Sequence, residues 1–91
     1  MYLIRHPASD PARGWSYVLK MNHVYLSVVE VEAAHQFDTV EGAREAIEEM
    51  MAYPNNRRRL DRLRQAEAVP VDREGFPVPD AQPIPLFPPW S

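Results

Sequence analysis

The side chains able to do chemistry fall into three sets, none with the spacing of a known reaction. His6, His23 and His35 carry imidazoles that serve elsewhere as metal ligands or acid–base groups, but their separations of 17 and 12 residues match no helical or hairpin ligand pair. They read as separate loop residues. Glu41, Glu45, Glu48 and Glu49 could act as paired carboxylates, yet their i, i+4 rhythm is that of the solvated face of a helix. Cysteine is absent, which removes disulfides, thiol nucleophiles and zinc knuckles together. The expectation is a non-enzymatic protein with no catalytic residues, no metal ligands and no cofactor.

The third set carries more information. Arg57, Arg58, Arg59, Arg62 and Arg64 stand against Asp61 alone between Pro54 and Ala66, a local charge of +4. Seven acids (Glu30, Glu32, Asp38, Glu41, Glu45, Glu48, Glu49) stand against Arg44 between Val28 and Met50, a local charge of −6. The chain is dipolar although its net charge is only −3. Placed in the first turn of a second helix, Arg57 to Arg59 would face the positive end of the helix dipole, so something must offset them. Either the acidic helix pairs with them inside the monomer, or phosphates or a partner's carboxylates do so. Nine of the ten cations are arginine, which suits planar, bidentate contacts. Tyr53 is the one aromatic close to the cluster, which argues against a module that stacks and reads nucleic-acid bases.

These residues need a scaffold, and 91 residues allow one small domain. Tyr2 to Ile4 reads as a short edge strand stopped by Pro7, and Pro7 to Gly14 as a loop. Trp15 to Met21 and Val24 to Val31 read as two strands around an Asn22-His23 turn. A two-residue loop makes opposed positions sum to 45, pairing Met21 with Val24, Leu19 with Leu26 and Tyr17 with Val28. Those six are apolar and share a face, which is therefore expected to be the buried one, against Ile47.

Asp38 with Glu41 has capping-box spacing, and Val40, Ala43, Ile47, Met50 and Met51 form the apolar stripe of a helix ended by Pro54. Asn55 or Asn56 can cap a second short basic helix running to about Ala68. Beyond it, seven of the ten prolines lie in the last 23 residues, interleaved with Phe76, Val78, Ile84, Leu86, Phe87 and Trp90. Flexible linkers avoid such apolar density, so the arm is expected to wrap back on the body rather than hang free. The expected fold is α+β: a small antiparallel sheet of hairpin plus edge strand packed against one helix, a second short basic helix, and a proline-rich C-terminal arm. The body spans 1–68 and the arm 69–91.

Two resemblances enter on particular residues. Leu3-Ile4-Arg5-His6 resembles the opening strand of the histidine phosphatases, in which the histidine takes the phosphoryl group and the arginine clamps it. Pro7 stands where that motif usually has glycine. That family also uses a larger doubly wound domain, a later acid and a second histidine, which neither His23 nor His35 supplies by position. From Trp15 to Tyr53, the hairpin followed by Ala34-x-x-Phe37-Asp38-Thr39-x-Glu41-x-Ala43 is similar in style to small phage or mobile-element proteins, among them anti-CRISPR and other anti-defence inhibitors. That resemblance implies a protein that binds and occludes a bacterial defence complex from the host cytoplasm.

The expected function is thus a protein-binding module using Arg57, Arg58, Arg59, Arg62, Tyr53 and Trp90. The alternatives are a nucleic-acid accessory protein contacting phosphates through Arg57 to Arg64, and a phosphohydrolase-like fragment using His6. A homodimer is a further partner class. No apolar run reaches the roughly 18 residues of a membrane span and no signal-peptide pattern opens the chain, so a cytoplasmic protein without membrane contact is expected.

Overall fold

The computed structural model describes residues 1–88, so Trp90 lies outside the described residues. The fold is α+β, with a five-stranded antiparallel sheet in the order β3-β2-β1-β4-β5 and its helices on one face. The strands are β1 (Tyr2–Pro7), β2 (Trp15–Met21), β3 (Val24–Val28), β4 (Glu67–Pro70) and β5 (Ile84–Pro85). Helix α1 covers Val40–Ala52; a 3-10 segment, Pro54–Arg59, leads into the single turn α2, Leu60–Leu63. Among the described residues no helix is long and apolar enough to cross a membrane.

The hairpin register is as its two-residue turn dictates: Tyr17 faces Val28, Leu19 faces Leu26 and Met21 faces Val24. Asn22 alone takes positive φ, 57°, so His23 is spared the left-handed conformation that a type I′ turn would demand. The buried face is the opposite of the expected one. Val18 is fully buried and Tyr25 packs on the core, whereas Met21, Val24 and Leu26 are 54%, 45% and 41% exposed. Leu19 and Leu26 therefore do not meet Ile47. The reason lies in β1, whose Ile4 and His6 join Val18 and Ser16 beneath the helices, so that the more apolar side of the hairpin is left open.

Strand β1 is central rather than an edge, with β2 on one side and β4 on the other. It runs to Pro7, which ends it for want of an N–H. At its other end β1 and β2 splay apart, and the His35–Phe37 segment fills the gap: His35 N–H donates to the Val18 carbonyl (2.8 Å), and Phe37 exchanges bonds with Tyr2 (2.8 and 2.6 Å). Phe37 thereby enters the core.

Helix α1 is capped by Thr39, not Asp38: the Thr39 hydroxyl accepts from Gly42 N–H at 3.0 Å, and Glu41 falls one position short of a capping box. Its Ala43, Ala46, Ile47 and Met50 are buried, the two alanines letting the backbone approach the sheet. No second helix reaches Ala68. Asn56 is buried and donates its amide to the Met50 carbonyl (2.8 Å), so it closes the end of α1 instead of opening a new helix.

Glu67–Pro70 then pairs with β1 as a strand that runs through the expected 68/69 boundary. The connection to β5 holds a turn in which the Asp72 carboxylate accepts from Glu74 and Phe76 N–H (2.9 and 3.1 Å) and Gly75 takes φ 86°. Beyond it Ile84–Pro85 adds to β4, the Leu86 amide bonds Ala66, and Leu86 is buried in the core.

Candidate functional site

Strand β3 is one edge of the sheet and β5 is the other. Proline guards the second, since Pro83 and Pro85 flank or lie in β5 and cannot donate to a further strand. Among the described residues nothing comparable guards the first. Val24-Tyr25-Leu26-Ser27-Val28 contains no proline, glycine or charge. A two-residue turn makes Met21 and Val24 a hydrogen-bonded pair, so by alternation Tyr25 and Ser27 aim their backbone N–H and C=O groups outward.

Alongside this edge runs a cleft with two halves that meet at Ser27 and Arg59. The apolar half, about 490 Å³, lies between Val24, Tyr25 and Leu26 on the strand and Met50, Tyr53 and Pro54 at the end of α1. The polar half, about 440 Å³, is lined by His6, Ser9, Arg13, Ser16, Ser27, Glu30, Arg59 and Arg62, among others.

His6 organises the polar half. Only 2% exposed, it is bonded at both nitrogens: Nδ1 lies 3.0 Å from the Pro7 carbonyl and Nε2 lies 2.9 Å from Ser27 Oγ. A carbonyl only accepts, so Nδ1 carries the proton and Nε2 accepts from the Ser27 hydroxyl. Burial pushes the imidazole below its ordinary value; the nearby positive charges of Arg62 and Arg59 push the same way, against the Pro7 carbonyl. A neutral ring therefore sits between a polarised serine and two guanidinium groups. His23, in the hairpin turn, and His35, edge-on to Phe37 at 4.8 Å, line neither half. Among the described residues no group of three His, Asp or Glu side chains is placed to hold a metal ion.

The arginine segment closes a 3-10 turn and runs into α2, with Arg59 as its N-cap; because α2 is a single turn it aligns few peptide dipoles, so the dipole argument for an offsetting charge is weak. Pairing with the acidic helix is not formed either. The ion pairs among the described residues are Arg5–Glu67 (2.8 Å), Arg44–Glu48 (3.1 Å) and the exposed Arg13–Asp10 (4.0 Å). Arg57, Arg58, Arg59, Arg62 and Arg64 meet no carboxylate within 4.0 Å among those residues. Arg62 goes further, with its Nε buried and without a hydrogen-bond partner.

Of the residues read from the sequence as partner-binding, Tyr53, Arg59 and Arg62 come together along the cleft, while Arg57 and Arg58 are exposed and line neither half. His6 with Ser27, Arg13 and the free strand edge went unread as parts of one site. The polar Ser16 and Ser27 positions were visible on one face of the hairpin, and only the pairing of β1 with β2 brings His6 to them. Comparison with known protein families, characterised proteins and solved structures finds no match.

Proposed function

We propose that this protein is a non-enzymatic binding module that takes an extended segment of a partner protein as a further strand on β3. The observation that carries the reading is the inverted hairpin: Met21, Val24 and Leu26 face solvent beside an unguarded strand edge. Exposed apolar groups in a contiguous patch mark interaction surfaces. Strand addition satisfies the outward backbone groups of Tyr25 and Ser27, and it sends alternate side chains to the open sheet face and into the Tyr53 cleft. Arg59 and Arg62, with no carboxylate within 4.0 Å among the described residues, favour a segment bearing acid at one end. The similarity in size and layout to phage-encoded inhibitors makes a protein of a bacterial defence complex the first partner to try. Arg57, Arg58 and Arg64, exposed and without an ion pair among the described residues, also suit phosphates of a nucleic acid, a reading that a steep loss of affinity with salt would favour.

The test is a library of peptides with alternating apolar residues and a terminal acid, read by amide hydrogen exchange. Binders are expected to protect the Tyr25 and Ser27 amides, and Leu26→Asp or Arg59→Glu to weaken them by about tenfold or more. Binders that leave both amides exchanging freely would refute strand addition. The same protection without peptide, rising with protein concentration, would make a second copy the occupant.

A further inference from the structure

We propose that the polar half of the cleft, bounded by His6, Arg13, Ser16, Ser27, Arg59 and Arg62, is a binding site for a phosphate group. This goes beyond strand docking, which is carried by the open strand edge and uses Arg59 and Arg62 only to favour an acid at one end of the docked segment.

Three guanidinium groups against Glu30 give the pocket walls a charge of +2, and His6, whose affinity for a proton is lowered by burial first and then by Arg62 and Arg59, adds none as a neutral ring. Like charges gathered round one void repel, and protein interiors tolerate that where an anion takes the space between them. Among the described residues Arg59 and Arg62 have no carboxylate partner within 4.0 Å, and Arg13 has only the distant, exposed Asp10 at 4.0 Å. Arg62 lines the pocket with its Nε buried, while its terminal guanidinium nitrogens are neither buried nor hydrogen-bonded among the described residues, which leaves them as donors toward the void.

The chemistry of the lining selects the anion. Arginine presents paired N–H donors, and the hydroxyls of Ser9 and Ser16 add more, a donor set larger than the two oxygens of a carboxylate can occupy. A tetrahedral dianion with several acceptor oxygens fits that number and the positive charge together. The volume of about 440 Å³ leaves room for the group to arrive free or carried on a larger molecule.

The experiment titrates the intact protein with inorganic phosphate at constant ionic strength and follows the Nε–Hε signals of arginine by NMR. A saturable shift of the Arg62 and Arg59 signals is expected, with a dissociation constant on the order of 1 mM or tighter. Arg59→Gln and Arg13→Gln, both at exposed positions, should weaken it by about tenfold each while leaving the fold intact; Arg62→Gln should weaken it further if that variant folds. Tighter binding of O-phosphoserine would indicate a phosphorylated side chain as the source, and equal binding a free anion. A shift that grows linearly without saturating, an equal response to chloride, or unchanged affinity in Arg59→Gln and Arg13→Gln would overturn the proposal. None of these outcomes bears on peptide protection of Tyr25 and Ser27, so the two readings fail separately.

Discussion

His6 is buried at the end of β1 with one nitrogen on a backbone carbonyl and the other on Ser27, and the neutral ring satisfies both contacts by donating from Nδ1 and accepting at Nε2. Protonation would place a third positive charge beside Arg59 and Arg62 and turn the Nε2 acceptor into a donor. Burial first, and then those charges, lower its affinity for a proton in the folded state. In the unfolded chain the ring titrates near its ordinary value of about 6.5. Between the lowered folded value and about 6.5 the unfolded state therefore binds more protons, and stability rises with pH across that window. His35, pushed down by desolvation and then by Lys20, contributes in the same direction. Thermal melts should show the protein losing stability as pH falls from about 7 towards 5, with a flatter dependence in His6→Gln. Parallel slopes for the two proteins would mean that His6 keeps an ordinary affinity and that its burial is less complete than described.

At the level of elements, the hairpin divides what local chemistry encodes from what it does not. Turn length and alternation specify its register, and both are local, so the pairing of Leu19 with Leu26 was legible in the sequence. Which face is buried depends on neighbours far along the chain, and here both faces carry enough apolar surface for either answer. Ile4, His6 and the alanines of α1 decide it in favour of Val18. Glu67–Pro70 was illegible for a related reason: Glu and Ala favour helix, and only the open edge of β1 turns them into a strand. The candidate site follows the same rule. Arg59, Arg62 and Tyr53 were recognisable by type and clustering, whereas the pocket they share with His6 exists only after β1 has paired. A pair of substitutions tests the assignment of faces. Ile47→Ala should cost about 2–5 kcal/mol, and Leu26→Ala, on the open face, about 0.5 kcal/mol or less. Melting temperatures in the reverse order would return the hairpin to its expected orientation.

Across the whole molecule, the C-terminal segment decides how many strands the sheet has and which edge is free. Leu86 is 2% exposed within the same core as Leu63, Ala66 and Ala68, and Ile84 and Phe87 pack against it, with Arg44 placed over the Phe87 ring at 5.3 Å. So small a chain has few large side chains to spare, and proline lowers the entropy lost when this segment orders, because fixed φ angles restrict the unfolded chain too. The same prolines close the β5 edge to further pairing, which leaves β3 as the side where a partner strand can add. Structural completion at one edge and the proposed strand docking at the other are thus linked through one sheet. Leu86→Ala is expected to cost about 2–5 kcal/mol, a fall in melting temperature of about 10 °C or more for a domain of this size. Removal of residues 80–91 should go further, exposing the edge of β4 and leaving a chain that unfolds or self-associates. Phe76→Ser, at a position 43% exposed in the connecting loop, serves as the control and should leave the melt nearly unchanged. If Leu86→Ala and the truncated chain both melt like the parent, the segment contributes nothing to the core, and β4 becomes a second free edge able to compete with β3 for the partner.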